Sequence, residues 1–240
     1  MIRHDWSRRA EGPEQMDLPD CSREKLERTL GQFRVINFLF TRYRHILKQE
    51  VLSVIARQPG REYRFTDLGA GGCDMARWLV RRCRRRGLRL RVRAVERDPR
   101  IRAYAQSAIR GYPEIEIVAA DALDVQAWGE PDFLFVNHLL HHLPDREAAE
   151  LLRLADRSGA RYLISDLVRC RISAWAFALA VAPTYRHSFL LTDGLLSFRR
   201  GFMPKELRTL IDSAGLRHRP TVNFLFPARF LIAGGDTRHK

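Results

Sequence analysis

The chemically densest stretch of the chain is Phe65-Thr66-Asp67-Leu68-Gly69-Ala70-Gly71-Gly72-Cys73-Asp74. An apolar run enters it, glycines turn it, and a helical pattern leaves it, so it reads as a strand-to-helix joint. In open α/β sheets ligands bind at such joints, beyond the carboxyl ends of the strands. Glycines there let a ligand approach the backbone closely. Two ligand classes compete for the pattern. A dinucleotide site wants GxGxxG, with a helix N-terminus cradling pyrophosphate. Gly69 and Gly71 fit, but the sixth position is Asp74, whose carboxylate would repel a diphosphate. Asp67, two residues before the first glycine, points instead to a ligand that carries positive charge.

A second group is the histidine run in Asn137-His138-Leu139-Leu140-His141-His142-Leu143-Pro144-Asp145. Histidine titrates near neutrality and suits a general base that relieves an acceptor hydroxyl of its proton. His141 and His142 follow His138 by three and four residues, so a helical turn would put them on its face. His142 or His138 is the preferred base, with His141 beside them. The alternative use of the segment is structural: it packs beneath the ligand and orders the turn.

Taken in order along the chain, these motifs resemble those of the class I S-adenosylmethionine-dependent methyltransferases of small-molecule type. The glycine stretch is similar to the family's first motif. Glu96, 29 residues after Asp67, stands at the end of the second predicted strand, where the family holds the ribose hydroxyls with an acidic residue. A carboxylate accepts both hydroxyl protons. Asp121, in Ala119-Ala120-Asp121-Ala122-Leu123, matches the acidic residue that contacts the adenine amino group. Asp132 to Asn137, followed by the histidines, looks like the fourth strand and the segment after it. The resemblance covers roughly residues 60 to 235 and departs where many members have a third glycine and this chain has Cys73. It implies S-adenosylmethionine as cofactor, with no metal. The implied cofactor contacts are Asp67, Gly69, Ala70, Gly71, Asp74, Glu96, Arg97, Asp121, Ala122 and Asn137.

The elements that must position these groups alternate. Tyr63 to Leu68, Leu88 to Val95, Ile115 to Ala119, Asp132 to Val136 and Tyr162 to Ser165 read as strands. Met75 to Arg86, Pro99 to Ile109 and Pro144 to Arg157 read as the helices between them. The pattern predicts an α/β, Rossmann-like sheet of seven mostly parallel strands with helices on both faces. Thr221 to Phe226 and Arg229 to Ala233 close it as an antiparallel edge hairpin. Residues 1–21 are expected to be a poorly ordered lead-in and 22–60 a helical cap. Residues 61–240 form the main domain, with a second cap inserted at about 168–203. The two caps carry the aromatic side chains expected to line a pocket for a flat or greasy acceptor, among them Phe33, Phe40, Trp175, Phe177, Tyr185 and Phe198. Asp193 to Phe202 resembles a loop of bacterial methyltransferases linked to phenolic lipid and quinone pathways, which implies O-methylation of a phenol or polyketide-like acceptor in secondary metabolism.

Composition limits the alternatives. Of 240 residues 45% are hydrophobic and 29% charged, which excludes wholesale disorder. The balance of 42 Lys+Arg against 28 Asp+Glu gives +14, and only four of the cations are lysine. Such an arginine bias is more often a genome habit than a binding device. A basic face for nucleic acid is the second reading, with Arg81 to Arg86 its best patch, and an RNA methyltransferase the activity it would imply. No aromatics interleave with that patch for stacking, and Asn137 does not open an Asn-Pro-Pro-Tyr motif. A cofactor-binding protein without catalysis is the third. The most apolar run, Ile172 to Ala182, falls short of the ~20 residues of a membrane span. Four scattered cysteines without a CxxC pair suit a reducing cytoplasm, and Arg3, Arg8 and Arg9, with no apolar core behind them, are not expected to form a secretory signal.

Overall fold

In β4 (Phe133–Asn137), Phe133 and Phe135 enter one core cluster while Leu134 and Val136 enter another, the two-residue alternation of a strand buried on both faces. The computed structural model describes residues 5–235, and the seven strands it contains form one sheet in the order β3-β2-β1-β4-β5-β7-β6. Here β1 is Glu62–Leu68, β2 Arg89–Val95, β3 Ile115–Val118, β5 Arg161–Leu167, β6 Thr221–Leu225 and β7 Arg229–Gly234. The first five run parallel, and β7 lies antiparallel between β5 and the edge strand β6. The expected fold class and terminal hairpin are therefore observed. The strand order reverses between β1 and β4, and ligand sites form beyond the carboxyl ends at that switch.

Ahead of the sheet stand α1 (Arg23–Phe40), α2 (Tyr43–Leu47), a π turn over Lys48–Leu52 and α3 (Ser53–Ile55). The Ser22 hydroxyl accepts the Lys25 N–H at 3.4 Å and starts α1. The predicted continuous helical stretch breaks at Arg42, whose φ of 54° is left-handed. Tyr43, Leu47, Val51 and Ile55 pack on one face of the sheet with α4 (Asp74–Arg84). Next come α5 (Pro99–Ala108), with Asp98 as its cap, and α6 (Asp145–Arg157). On the opposite face α6 packs with α9 (Pro204–Ala214).

Between β5 and α9 the chain inserts α7 (Arg171–Val181) and α8 (Leu190–Arg200). The segment from Asp193, expected as a loop, is thus helical. Its Asp-Gly pair signals a turn, but Gly194 sits in α8 because a Cβ there would lie 2.2 Å from the Phe177 ring. Close packing on α7 outweighs glycine's weak helix propensity.

Residues 5–21 are also not a loose lead-in, while residues 1–4 of that expectation lie outside the described residues. Arg9 donates to the carbonyls of His141 (2.9 Å), Leu143 (3.1 Å) and Arg200 (2.8 Å) and stacks on Phe202 at 4.1 Å. Arg100 donates to the carbonyls of Met16 at 3.1 Å and Leu18 at 2.7 Å. Side chains far along the chain supply the partners that this polar segment lacks locally, which composition alone does not show.

Candidate active site

At the end of β1 the Gly69 and Ala70 amides donate to the Val95 carbonyl at 2.9 and 3.1 Å, which folds the loop across β2. Gly69 and Gly71 have φ of 67° and 53°, the left-handed region open to glycine. Cys73 also adopts φ 56°, at a cost of roughly 1–2 kcal/mol for a side chain. Its side chain is buried in the core cluster that also holds Met75, Ala76 and Leu79, and the loop departs from a third glycine without exposing it.

Glu96 follows β2 and is buried. Its Oε2 accepts the Gly71 N–H at 3.0 Å and its Oε1 the Asp98 N–H at 2.9 Å, so it ties the glycine loop to the next turn. Asp74 begins α4 and accepts from Asn37 of α1 at 3.2 Å. Asp67 lies buried at the end of β1, behind the loop. Asp74 and Glu96 line one end of a cavity of about 1000 Å³, and Asp67 is buried outside its wall. Burial raises all three above the ordinary carboxylate range. Asp74 and Glu96 raise Asp67 further, whereas Asn37 opposes the shift at Asp74 and the two amides oppose it at Glu96. A cation in the cavity would relieve this crowding.

The cavity runs under the carboxyl ends of β1, β2 and β4 to the two caps. Gly69, Ala70, Gly71, Asp74, Glu96, Arg97, Asp121, Ala122, Asn137, His138, His141 and His142 all line it. Of the expected site residues Asp67 alone is absent from the wall. Asp121 caps its own turn, accepting the Leu123 N–H at 2.9 Å, and stands 3.4 Å from Arg97.

The three histidines do not share one face. Only Leu140–His142 forms a helical turn, of 3-10 type, and His138 precedes it with φ 57°. Arg229, fully buried at the start of β7, donates to His138 Nε2 at 2.7 Å, to Asn137 Oδ1 at 2.9 Å and to Ser165 Oγ at 3.0 Å. That bond takes the Nε2 lone pair, so the proton of the neutral ring sits on Nδ1. Burial and the Arg229 charge hold His138 well below the usual histidine range. Arg229 therefore already holds the lone pair that His138 would use in its expected role as base, and leaves Nδ1–H as a donor.

His141 is buried with Nδ1 2.6 Å from Asp166 Oδ1, and its backbone N–H donates to Asp166 Oδ2 at 3.0 Å. Its Nε2 faces Glu14 Oε1 at 3.6 Å. Burial favours the neutral ring, but Asp166 and Glu14 overturn it and push the pKa up to about 9. Both carboxylates thus favour the protonated His141 ring, which weighs against its expected use as a base. Burial raises Asp166, and the His141 charge more than reverses that, to well below the carboxylate range. Glu14, likewise raised by burial and lowered by His142 and His141, falls to about 2.

His142 remains as the histidine with an open role. It stacks on His141 with ring centroids 4.3 Å apart, lines the cavity, and has carboxylates on both sides, Asp17 3.4 Å from Nδ1 and Glu14 3.7 Å from Nε2. Glu14, His141 and His142, and separately His138, His141 and Asp166, also lie close enough to share a metal ion, where the sequence predicted none. Carboxylate–histidine pairs and, at His138, the Arg229 hydrogen bond already engage these groups.

Glu14, Asp166 and Arg229 are site residues that the sequence motifs did not mark, and Asp193 was marked only as the start of an expected loop. Asp166 sits at the carboxyl end of β5, where its position could have flagged it. Asp193 of α8 accepts the Gln15 and Met16 amides at 2.9 and 3.0 Å and fastens residues 14–17 over the cavity. Burial, aided by Glu14 and Asp17, lifts its pKa to about 6 against those two bonds. Nothing local in the sequence marks Glu14 or Arg229.

Residues 66–162 match a family described as a methyltransferase domain. No curated protein sequence matches the chain. Among solved structures, human N-acetylserotonin methyltransferase in complex with S-adenosylmethionine (SAM) is similar at 17% identity and a TM-score of 0.61, covering 90% of this chain. The chain spans 57% of that protein's length. A SAM-dependent methyltransferase from Aquifex aeolicus is similar at 15% identity and a TM-score of 0.57, covering 86% of this chain and 96% of its own. Magnesium protoporphyrin IX methyltransferase from Synechocystis PCC 6803 with bound SAM is similar at 13% identity and a TM-score of 0.50, covering 80% of this chain and 79% of its own. At these identities the likeness is one of fold.

Proposed function

From the match of residues 66–162 to the methyltransferase domain family and the Rossmann-like sheet around them, we propose that the chain is an S-adenosylmethionine-dependent methyltransferase acting on oxygen of a hydrophobic or aromatic small molecule. The observation that carries this reading is the single cavity with two unlike ends. Carboxyls and a bare glycine bend make one end, and histidines with aromatic caps make the other.

The residues fit the cofactor. A Cβ at Gly71 would meet nothing within 4 Å, so the bend opens onto free space that a ligand can occupy. Asn137 Nδ2 is buried on the cavity wall without a hydrogen-bond partner among the described residues. When bound, S-adenosylmethionine supplies a sulfonium methyl group that is already electrophilic. Glu96 would hold the ribose hydroxyls, Asp121 and Ala122 the adenine edge, and Asp74 the positively charged end. At about 1000 Å³ the cavity is at the upper end of ordinary ligand sites, leaving room for an acceptor beside the cofactor.

The protein's task is then alignment in a dry site. Phe33, Phe40, Phe177 and Phe198 make apolar walls. Residues 14–17, fastened by Asp193, cover the histidine end and limit water. His142 takes the acceptor proton, with Glu14 and Asp17 stabilising the imidazolium that results. His138 Nδ1–H orients the acceptor or cofactor from beneath.

Nucleic acid is the weaker acceptor. In the arginine run Arg81 donates to Tyr112 Oη at 2.8 Å and Arg84 pairs with Glu114 at 2.6 Å, so part of the patch serves the fold. Calorimetry with S-adenosylmethionine on the wild type and Glu96→Gln tests the cofactor end. An affinity loss of roughly 10–100-fold is expected, the worth of a charge-assisted hydrogen bond at about 1.5–3 kcal/mol. Equal affinities would refute the assignment.

A further inference from the structure

The mouth of the cavity is rimmed by apolar side chains turned to solvent. Ile172 and Phe226 both line the cavity and are 82% and 83% exposed. Trp175 and Leu179 follow Ile172 along α7 at three- and four-residue steps and are 65% and 77% exposed. They form the outward face, because Ala174, Phe177, Ala178 and Val181 fill the inward one. No charged residue interrupts the chain from Ile172 to Tyr185. On α1, whose Phe40 ring meets Phe177 at 6.0 Å, Val35, Phe38 and Leu39 are half exposed or more. Exposed apolar side chains of this kind, on two elements that line one opening, mark a contact with something other than water.

Charge and geometry choose the occupant. The uncharged stretch is bracketed by the exposed Arg171 and Arg186. Arg171 occupies the first turn of α7, where a cation opposes the helix dipole, so helix stability does not account for it. The Arg44 guanidinium lies 4.1 Å over the Phe38 ring and adds a further cation on the α1 side. A second copy of the chain would bring the same +14 and be repelled. A protein seated on the rim would also close the opening. A lipid surface would leave the opening facing an apolar phase.

We propose that the outward face of α7, with Phe226 and the outer side of α1, docks the protein on an anionic phospholipid surface with the cavity mouth turned to the acyl region. Trp175 and Leu179 enter the interface, and the flanking arginines meet the headgroup phosphates. Entry of a lipidic acceptor through this mouth rests on the proposed function above. The docking itself does not.

The test is co-sedimentation with vesicles of phosphatidylglycerol and phosphatidylcholine at ~0.1 M salt, with neither cofactor nor acceptor present, so that a failed methyl transfer cannot imitate a failed docking. The wild type is expected to pellet with the anionic vesicles and to pellet poorly with phosphatidylcholine alone. Brominated acyl chains should quench its tryptophan emission, since Trp175 is the exposed tryptophan among the described residues. Trp175→Glu and Leu179→Glu, each folded by thermal melting, should lower partitioning by about tenfold or more. Absence of pelleting, or pelleting with no bromine quenching and no effect of either variant, would overturn the proposal. So would a wild-type dimer in size-exclusion light scattering that both variants convert to monomer, because the face would then be an interface between copies.

Discussion

Replacing Asp166 by asparagine removes the anion that keeps His141 protonated, and its consequence can be worked from the structure. His141 rises from 6.5 to about 9 on folding, because Asp166 at 2.6 Å and Glu14 at 3.6 Å outweigh its burial. At 1.36 kcal/mol per pKa unit that linkage contributes about 3 kcal/mol. Since the folded value is the higher one, the contribution is complete below pH 6.5. It declines as pH rises and is gone above about 9. In Asp166→Asn the imidazolium loses its nearest carboxylate, and the His141 amide loses an anionic acceptor. Breaking a buried pair from one side costs about 3–5 kcal/mol. For a chain of this length each kcal/mol moves Tm by about 2–4 °C, so the variant should melt roughly 6–20 °C lower at pH 6. Urea melts at pH 6, 7.5 and 9 measure both curves, and the histidine signals in NMR report the His141 pKa directly. Wild-type stability should fall between pH 6.5 and 9, and the difference between the two proteins should shrink across that window. A variant within about 1 kcal/mol of wild type at pH 6, or a wild-type His141 that titrates at its ordinary value, would refute the charged-pair reading. The assignment of His142 as the remaining base would lose its basis with it.

Gly71→Ala should cost about 1–2 kcal/mol of stability for the left-handed φ but more than tenfold in cofactor affinity, since its Cβ would enter free space in the cradle; unchanged affinity by calorimetry would place the ligand elsewhere. His142→Gln should abolish the acidic limb of the pH–rate profile with a phenolic acceptor, whereas His138→Gln should keep that limb, because Arg229 already holds the His138 lone pair. Matching profiles in the two variants would reject the division of roles. Cofactor affinity should rise with pH through the raised titrations of Asp67, Asp74 and Glu96, with protons released on binding at the acid end. Calorimetry in buffers of different ionisation enthalpy reads that release, and an affinity and proton count flat with pH would show these carboxyls to be remote from the cation.

The order of strands and helices was legible because each signal is local. Alternating apolar residues mark β2, a proline and a preceding aspartate mark the start of α5, and Gly69 and Gly71 mark the bend after β1. The helix from Leu190 was less legible, since Asp193-Gly194 carries a turn signal that only the Phe177 ring outweighs.

Local pattern and residue type therefore determined the class of fold, the place of the cofactor motif and the acidity that suits a cation. They could not determine what each histidine meets. His138, His141 and His142 are the same side chain within five residues, and the fold sets Arg229 of β7 against the first and Asp166 of β5 and Glu14 of the N-terminal segment against the second. Electrostatic energy depends on distance in space, and only the folded chain brings those partners within 4 Å.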